Sequence, residues 1–326
     1  MNGVNDISFP NLGLYLSNIP DGITLFGREI KFYAVIIAVG FVIALFLSYR
    51  EAKKTGQDQE LYLDAFLVTV IPTVLGARLY YVIFSWDNFK NDWKSIFAIW
   101  EGGMAIYGGI LTGVLVIYIF SKVKKQSFGL MIDTLVPGLV LGQAMGRWGN
   151  FLNREAFGGN SDGLFAMRIP VDKIYVAYSD KVTTITPDTG LSYIQVQPTF
   201  LYESVLCFCI FGILLLLRRK KKVDGEVFLL YATLYALGRF FIEGLRTDQL
   251  ILCKIGETPI PVSQVVAVLV ILACIIIFVT GRNKKAVAFY LEEDEDEDKE
   301  TILVEESGEF ADKMTKTTTE DSDEPV

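Results

Sequence analysis

Seven apolar runs constrain this chain more than any other feature. They fall at about residues 30–49, 61–84, 96–120, 128–148, 199–217, 227–244 and 262–280. Each is close to the roughly 20 residues that carry an α-helix across about 30 Å of hydrocarbon, at about 1.5 Å per residue. In lipid the backbone must satisfy its own hydrogen bonds, and for runs of this length the helix does so. The expected fold is therefore an all-α polytopic membrane protein with seven transmembrane helices. Composition agrees: 52% of the 326 residues are hydrophobic and mean hydropathy is +0.39, too apolar for a water-soluble two-domain enzyme. Residues 149–198 break the pattern. They mix Gly, Asp, Thr, Tyr and Val, notably from Tyr175 to Tyr178 and from Val182 to Thr186. This stretch reads as a small extracytoplasmic subdomain between spans four and five, with short β-strands.

The net charge of −8 belongs to one end. Residues 282–326 hold 16 acidic and 6 basic side chains, with an unbroken acidic run from Glu292 to Asp298, so the rest of the chain carries +2. Such a composition buries too little apolar surface to offset its ordering entropy, and a disordered tail is expected. Lys and Arg concentrate after the first, third, fifth and seventh runs, where 14 of them lie in short flanks, against 8 in the longer loops of the other side. The positive-inside rule places the dense set in the cytoplasm. The N-terminus is then outside and the C-terminus inside. The organisation is an extracytoplasmic segment at 1–28, a seven-helix body at 29–281 containing the 149–198 subdomain, and an acidic cytoplasmic tail at 282–326. The first 28 residues lack the basic and apolar regions of a removable signal peptide. No basic face lies beyond the helix flanks, so nucleic acid is not an expected partner.

Histidine is absent. That excludes a Ser–His protease, a His-ligated zinc hydrolase and a bis-His haem carrier. Proton chemistry is left to Glu, Asp, Tyr, Lys, Cys or water. Cys207, Cys209, Cys253 and Cys274 form neither a CxxC spacing nor a disulfide framework and read as small apolar fillers.

The informative residues are the polar ones inside the apolar runs, since each charge at the centre of a spanning helix costs roughly 2.5–3.5 kcal/mol on insertion scales. In the sixth run Tyr235, Arg239 and Glu243 are four apart and share one helix face, with Arg246 a turn further on. The fourth run ends with Gly142, Gly146, Arg147, Gly149, Asn150, Asn153, Glu155, Gly158 and Gly159. These glycines permit close approach and positive φ, and Arg147 offers a planar fork suited to phosphate. The fifth run opens with Pro198 and carries Glu203; the third holds Tyr107-Gly108-Gly109. Each feature also has a plainer reading: an ion pair that locks packing, a snorkelling Arg at a glycine-capped helix end, small-residue helix contacts. Arg78, near Tyr80 and Tyr81, is expected to snorkel to the outer interface. Together the set reads as a polar chamber with more than one Arg in the outer half of the membrane, where lipid phosphate is the most available anion.

At this point the motifs resemble a known family. Gly146-Arg147-Trp148-Gly149-Asn150-Phe151-Leu152-Asn153-Arg154-Glu155 is similar to the GRxGNFxNxE signature of the prolipoprotein diacylglyceryl transferases, with Gly158 following. Pro198-Thr199-Phe200-Leu201-Tyr202-Glu203 resembles their PTxLYE segment, and residues 238–246 their GRFxxExxR pattern, with Asp248 two residues on. Tyr33 looks like the tyrosine of their first span, and Asp133 with Pro137 to Gly142 fits the fourth. The likeness covers about residues 25–280. Two positions depart: Tyr107 stands where the family usually has His, and Gln197 where it often has His.

The resemblance implies transfer of the diacylglyceryl group of phosphatidylglycerol to the lipobox cysteine of preprolipoproteins. The partners are therefore phosphatidylglycerol, those signal peptides and membrane lipids, and no metal or organic cofactor is implied. The resemblance also implies a multi-pass protein of a bacterial inner or plasma membrane. Taken with the chemistry of the residues, it leads to expected catalytic roles for Arg239, Glu243, Tyr107 and Glu155, and substrate binding for Arg147, Asn150, Tyr33, Tyr235, Gly158, Glu203 and Arg246. The thiol proton goes to Glu155 or Glu243. An inactive lipid-binding paralogue and a lipid or solute transporter are the alternatives.

Overall fold

The structure is a computed structural model that describes residues 5–20, 22–25, 28–90, 92–99, 102–174, 182–187, 191–256 and 258–281. The strands expected from Tyr175 to Tyr178 and the acidic tail at 282–326 lie outside the described residues.

Seven helices long and apolar enough to cross a membrane carry the apolar runs. They are α1 (Phe32–Lys54), α2 (Gln59–Phe84), α3 (Ile106–Val123), α4 (Phe128–Leu152), α5 (Thr199–Leu217), α6 (Glu226–Leu245) and α7 (Val262–Gly281). Their ends follow local chemistry. The Asp58 carboxylate accepts from Glu60 N ahead of α2, and the Ser127 hydroxyl accepts from Leu130 N ahead of α4. Large apolar side chains point outward, with Leu216 75% and Phe84 73% exposed, as helices bathed in hydrocarbon require.

α4 is the central helix, packed on α1, α5 and α6. Val136, Val140 and Ala144 of α4, Cys207, Ile210 and Leu214 of α5, Tyr231 of α6 and Cys274 of α7 share one core. Across this core Asp133 of α4 caps α6: Oδ1 accepts from Phe228 N at 2.9 Å and Oδ2 from Gly225 N at 2.8 Å. The buried Lys221 ammonium stands 3.4 Å from Oδ2.

The third helix begins at Ile106, not near residue 96. Gly102 and Gly103 adopt φ of +87° and +68°, and a 3₁₀ turn spans Trp93–Phe97 before them. The cause is Arg78. It does not snorkel; it is 6% exposed, and its guanidinium donates to the carbonyls of Ser95, Ile96, Gly102 and Gly103 at 2.5–3.0 Å. The loop is bent so that its carbonyls solvate a buried charge.

Outside the helices the described residues form nine short strands: β1 (Asn5–Phe9), β2 (Leu14–Ser17), β3 (Gly22–Leu25), β4 (Arg28–Lys31), β5 (Met167–Pro170), β6 (Thr184–Ile185), β7 (Tyr193–Val196), β8 (Ile251–Ile255) and β9 (Thr258–Pro261). β3–β4 and β8–β9 are hairpins. The others form one antiparallel sheet in the order β2-β1-β5-β7-β6. The subdomain is thus not built from residues 149–198 alone, because the N-terminal segment supplies two of its five strands. Ile7, Ile169, Ile194 and Val196 are fully buried beneath it, packed with Phe151, Phe157 and Phe200 at the ends of α4 and α5.

Candidate active site

Three helices converge on one carboxylate. Glu203 lies one turn into α5 and is 1% exposed. The start of α5 is held by Thr199, whose hydroxyl donates to Ala156 O in the loop after α4. Glu203 Oε1 forms an ion pair with Arg147 Nη2 of α4 at 2.6 Å and accepts from the Tyr235 hydroxyl of α6 at 3.0 Å. Its Oε2 accepts from Arg239 Nη1 at 3.1 Å. The four-residue spacing on α6 then brings in Glu243, whose Oε2 stands 2.6 Å from Arg239 Nη2. That approach is off the hydrogen-bond axis, so Glu243 Oε2 is buried without an aligned donor. Two guanidiniums are thereby held across one shared carboxylate, with a second carboxylate against one of them.

Arg147 also reaches along its own helix. Its Nη1 donates to Asn150 Oδ1 at 3.3 Å, and Asn150 Nδ2 donates to Glu155 Oε1 at 2.9 Å. Asn153 Nδ2 donates to the same oxygen at 3.2 Å. Asn153 lies inside the signature yet was not among the expected site residues; its spacing of three from Asn150 is the signal that would have found it. The positive φ expected at the glycines here occurs instead at Arg154 and Ala156, at 54° and 55°. Arg154, 3% exposed, donates to Leu152 O and Ile19 O, and that places the turn. Gly149 stays helical and serves close approach: a Cβ there would stand 2.2 Å from the Tyr33 ring, so Tyr33 packs flat on α4.

A second polar group lies where α6 ends. Arg246 donates bidentately to Asp248 at 2.9 and 2.7 Å. Burial would raise the Asp248 carboxyl, but the Arg246 hydrogen bonds and charge outweigh it and hold the group below the usual carboxylate range. Gly158 bridges to Arg246, and its N donates to Gln197 O at 2.9 Å. Among the described residues no hydrogen bond or ion pair ties Arg246 or Gly158 to Arg147 or Arg239, although Arg246 lies within electrostatic reach of Glu203 and Glu243. Among the described residues no hydrogen bond or ion pair ties Tyr107 to Arg147 or Arg239; it is half-exposed at the second position of α3, beside Gly108, which packs against Gly76 O. No three His, Cys, Asp or Glu side chains converge as a metal site among the described residues.

Two partly buried arginines from different helices, backed by buried carboxylates, are suited to binding a phosphate. The family model described as "Prolipoprotein diacylglyceryl transferase" matches residues 20–280. The chain belongs to the prolipoprotein diacylglyceryl transferase family. Among family members, the phosphatidylglycerol–prolipoprotein diacylglyceryl transferase of Oceanobacillus iheyensis is 42% identical over 265 residues, covering 81% of this chain and 88% of its own length. Those of Listeria monocytogenes serotype 4a and Clostridioides difficile are 42% and 37% identical, over 84% and 81% of this chain and 94% and 97% of theirs. The family match spans all seven helices and both polar groups. It leaves out the first strands of the sheet, β1 and β2, and the acidic tail.

Proposed function

We propose that this protein transfers the diacylglyceryl group of phosphatidylglycerol to the lipobox cysteine thiol of preprolipoproteins. The observation that carries the reading is the pairing of Arg147 and Arg239 across Glu203, two guanidiniums held on one shared carboxylate within the helix bundle. In the reaction the cysteine sulfur attacks the glyceryl carbon. The S–C bond forms as the C–O bond to phosphate breaks, and glycerol-1-phosphate leaves with the electron pair.

Charge grows on the phosphate oxygens as that bond breaks, and preorganised guanidiniums meet it without reorganising. Arg147 and Arg239 take this role, with Asn150 holding Arg147. The free thiol has a pKa near 8.5, so only about 3% is thiolate at pH 7, and a nearby cationic pair raises that fraction. Its proton needs an acceptor. Glu155 Oε1 accepts from two Asn amides and Glu243 Oε2 is ion-paired with Arg239, and either carboxylate can serve as the acceptor. Tyr107 positions the incoming thiol by a hydrogen bond. The sheet subdomain and both hairpins lie outside the cell, and the Lys- and Arg-rich helix ends lie in the cytoplasm, following the charge asymmetry.

The test is the mass of a synthetic lipobox peptide incubated with the purified protein and phosphatidylglycerol. A diacylglyceryl gain on cysteine, lost in Arg147→Ala and Arg239→Ala, is the expected result. No gain from folded, lipid-bound protein would shift the reading to an inactive lipid-binding paralogue.

A further inference from the structure

We infer that Glu203 is a positioning residue and the internal counter-anion of the site: it stays behind the two arginines, sets their spacing, and weakens their hold on the phosphate product so that it can leave. This rests on the transferase reading and assigns Glu203 a role other than lipid contact.

Burial separates the two sides of the cluster. The Arg147 and Arg239 side chains are 18% and 21% exposed, whereas that of Glu203 is 1% exposed. The guanidiniums are the accessible members of the cluster and the carboxylate is its enclosed one. Tyr235 fixes it there, because its hydroxyl donates to the oxygen that pairs with Arg147. A guanidinium has five N–H donors. The described partners engage Nη1 and Nη2 of each arginine and leave the Nε–H groups for a ligand.

The reaction's own charge balance calls for such a counter-anion. A phosphodiester of charge −1 enters, and a phosphomonoester of about −2 leaves. Two unneutralised guanidiniums in a poorly screened site would grip the product harder than the substrate. Glu203 and Glu243 match Arg147 and Arg239 charge for charge. Removing the Glu203 charge leaves the pair in excess and lets the two cations repel each other out of aim. Turnover and anion affinity then move in opposite directions. A residue that only held helices together would weaken both, and one that bound lipid would raise KM.

The experiment measures kcat, KM for phosphatidylglycerol and the inhibition constant of glycerol-1-phosphate for the full chain in detergent. In Glu203→Gln, kcat is expected to fall about 100-fold while the inhibition constant tightens about tenfold. An inhibition constant equal to wild type, or a raised KM at unchanged kcat, overturns the inference while the transferase reading stands. Wild-type protein that transfers nothing removes both. If Glu203→Gln does not fold, Glu203→Asp and Tyr235→Phe carry the test. Both keep the charge and loosen its placement, so kcat falls about tenfold with the inhibition constant within about twofold of wild type. Unchanged kcat in both overturns the inference.

Discussion

At the scale of single residues, the chemistry rests on fork geometry as much as on charge. Arg147 contacts Asn150 and Glu203 through two different nitrogens, and a lysine offers one point charge in place of that planar fork. Arg147→Lys should therefore lose turnover nearly as completely as Arg147→Ala, by about 100-fold or more, in the peptide mass assay. Recovery of a tenth of wild-type rate by lysine would reduce Arg147 to a simple counter-charge. Tyr107 makes the opposite kind of claim. Loss of one neutral hydrogen bond is worth about 1 kcal/mol, so Tyr107→Phe should lower kcat/KM for the peptide about fivefold and leave KM for the lipid alone. Unchanged peptide kinetics would take Tyr107 out of the site.

At the scale of elements, the joint between α4 and α6 is the most exacting. Asp133 satisfies two backbone N–H groups of the α6 end and faces a lysine whose side chain is 4% exposed. Asp133→Ala strands both N–H groups, leaves Lys221 with Asp224 at 3.6 Å, and should cost about 3–5 kcal/mol, visible as a lowered thermal midpoint in detergent. A midpoint unchanged within a degree would show that α6 needs no cap from α4. Hydropathy was enough to read the helices themselves, because spanning length and apolar content are local properties. It misplaced the start of α3, because Trp93 to Ile99 is as apolar as a helix but is bent around Arg78, and that guanidinium belongs to another element. For the same reason the sequence pointed to Arg239 and Glu243, four apart on one helix, but not to Glu203 as the hub. The hub exists only once α4, α5 and α6 meet.

At the scale of the whole molecule, the sheet joins the chain's beginning to the loop that carries Glu155 and Gly158. Ile7 and Phe9 are buried in the same cluster as Phe151, Phe157 and Phe200, and Arg154 donates to Ile19 O. No periodicity in residues 5–17 announces a partner so far along the chain. Deleting those residues should leave the seven helices in the membrane but abolish transfer, and limited proteolysis should then cut between 158 and 198 earlier than in the full chain. Wild-type activity in the truncated protein would confine the first two strands to a decorative role. Orientation can be checked on the same scale. In a background with all four cysteines replaced, an impermeant maleimide should label Thr186→Cys in intact cells and Lys124→Cys only after permeabilisation.

The pairing of Ser8 with Arg168 also has a consequence for synthesis. A ribosome adding about 5–20 residues per second takes roughly 10–30 s to travel from one to the other. Four helices are made in that interval while β1 and β2 have no sheet to join. These two strands wait for β5, and the loop that carries Glu155 gains its full packing only when residues made much earlier fold back onto newer ones.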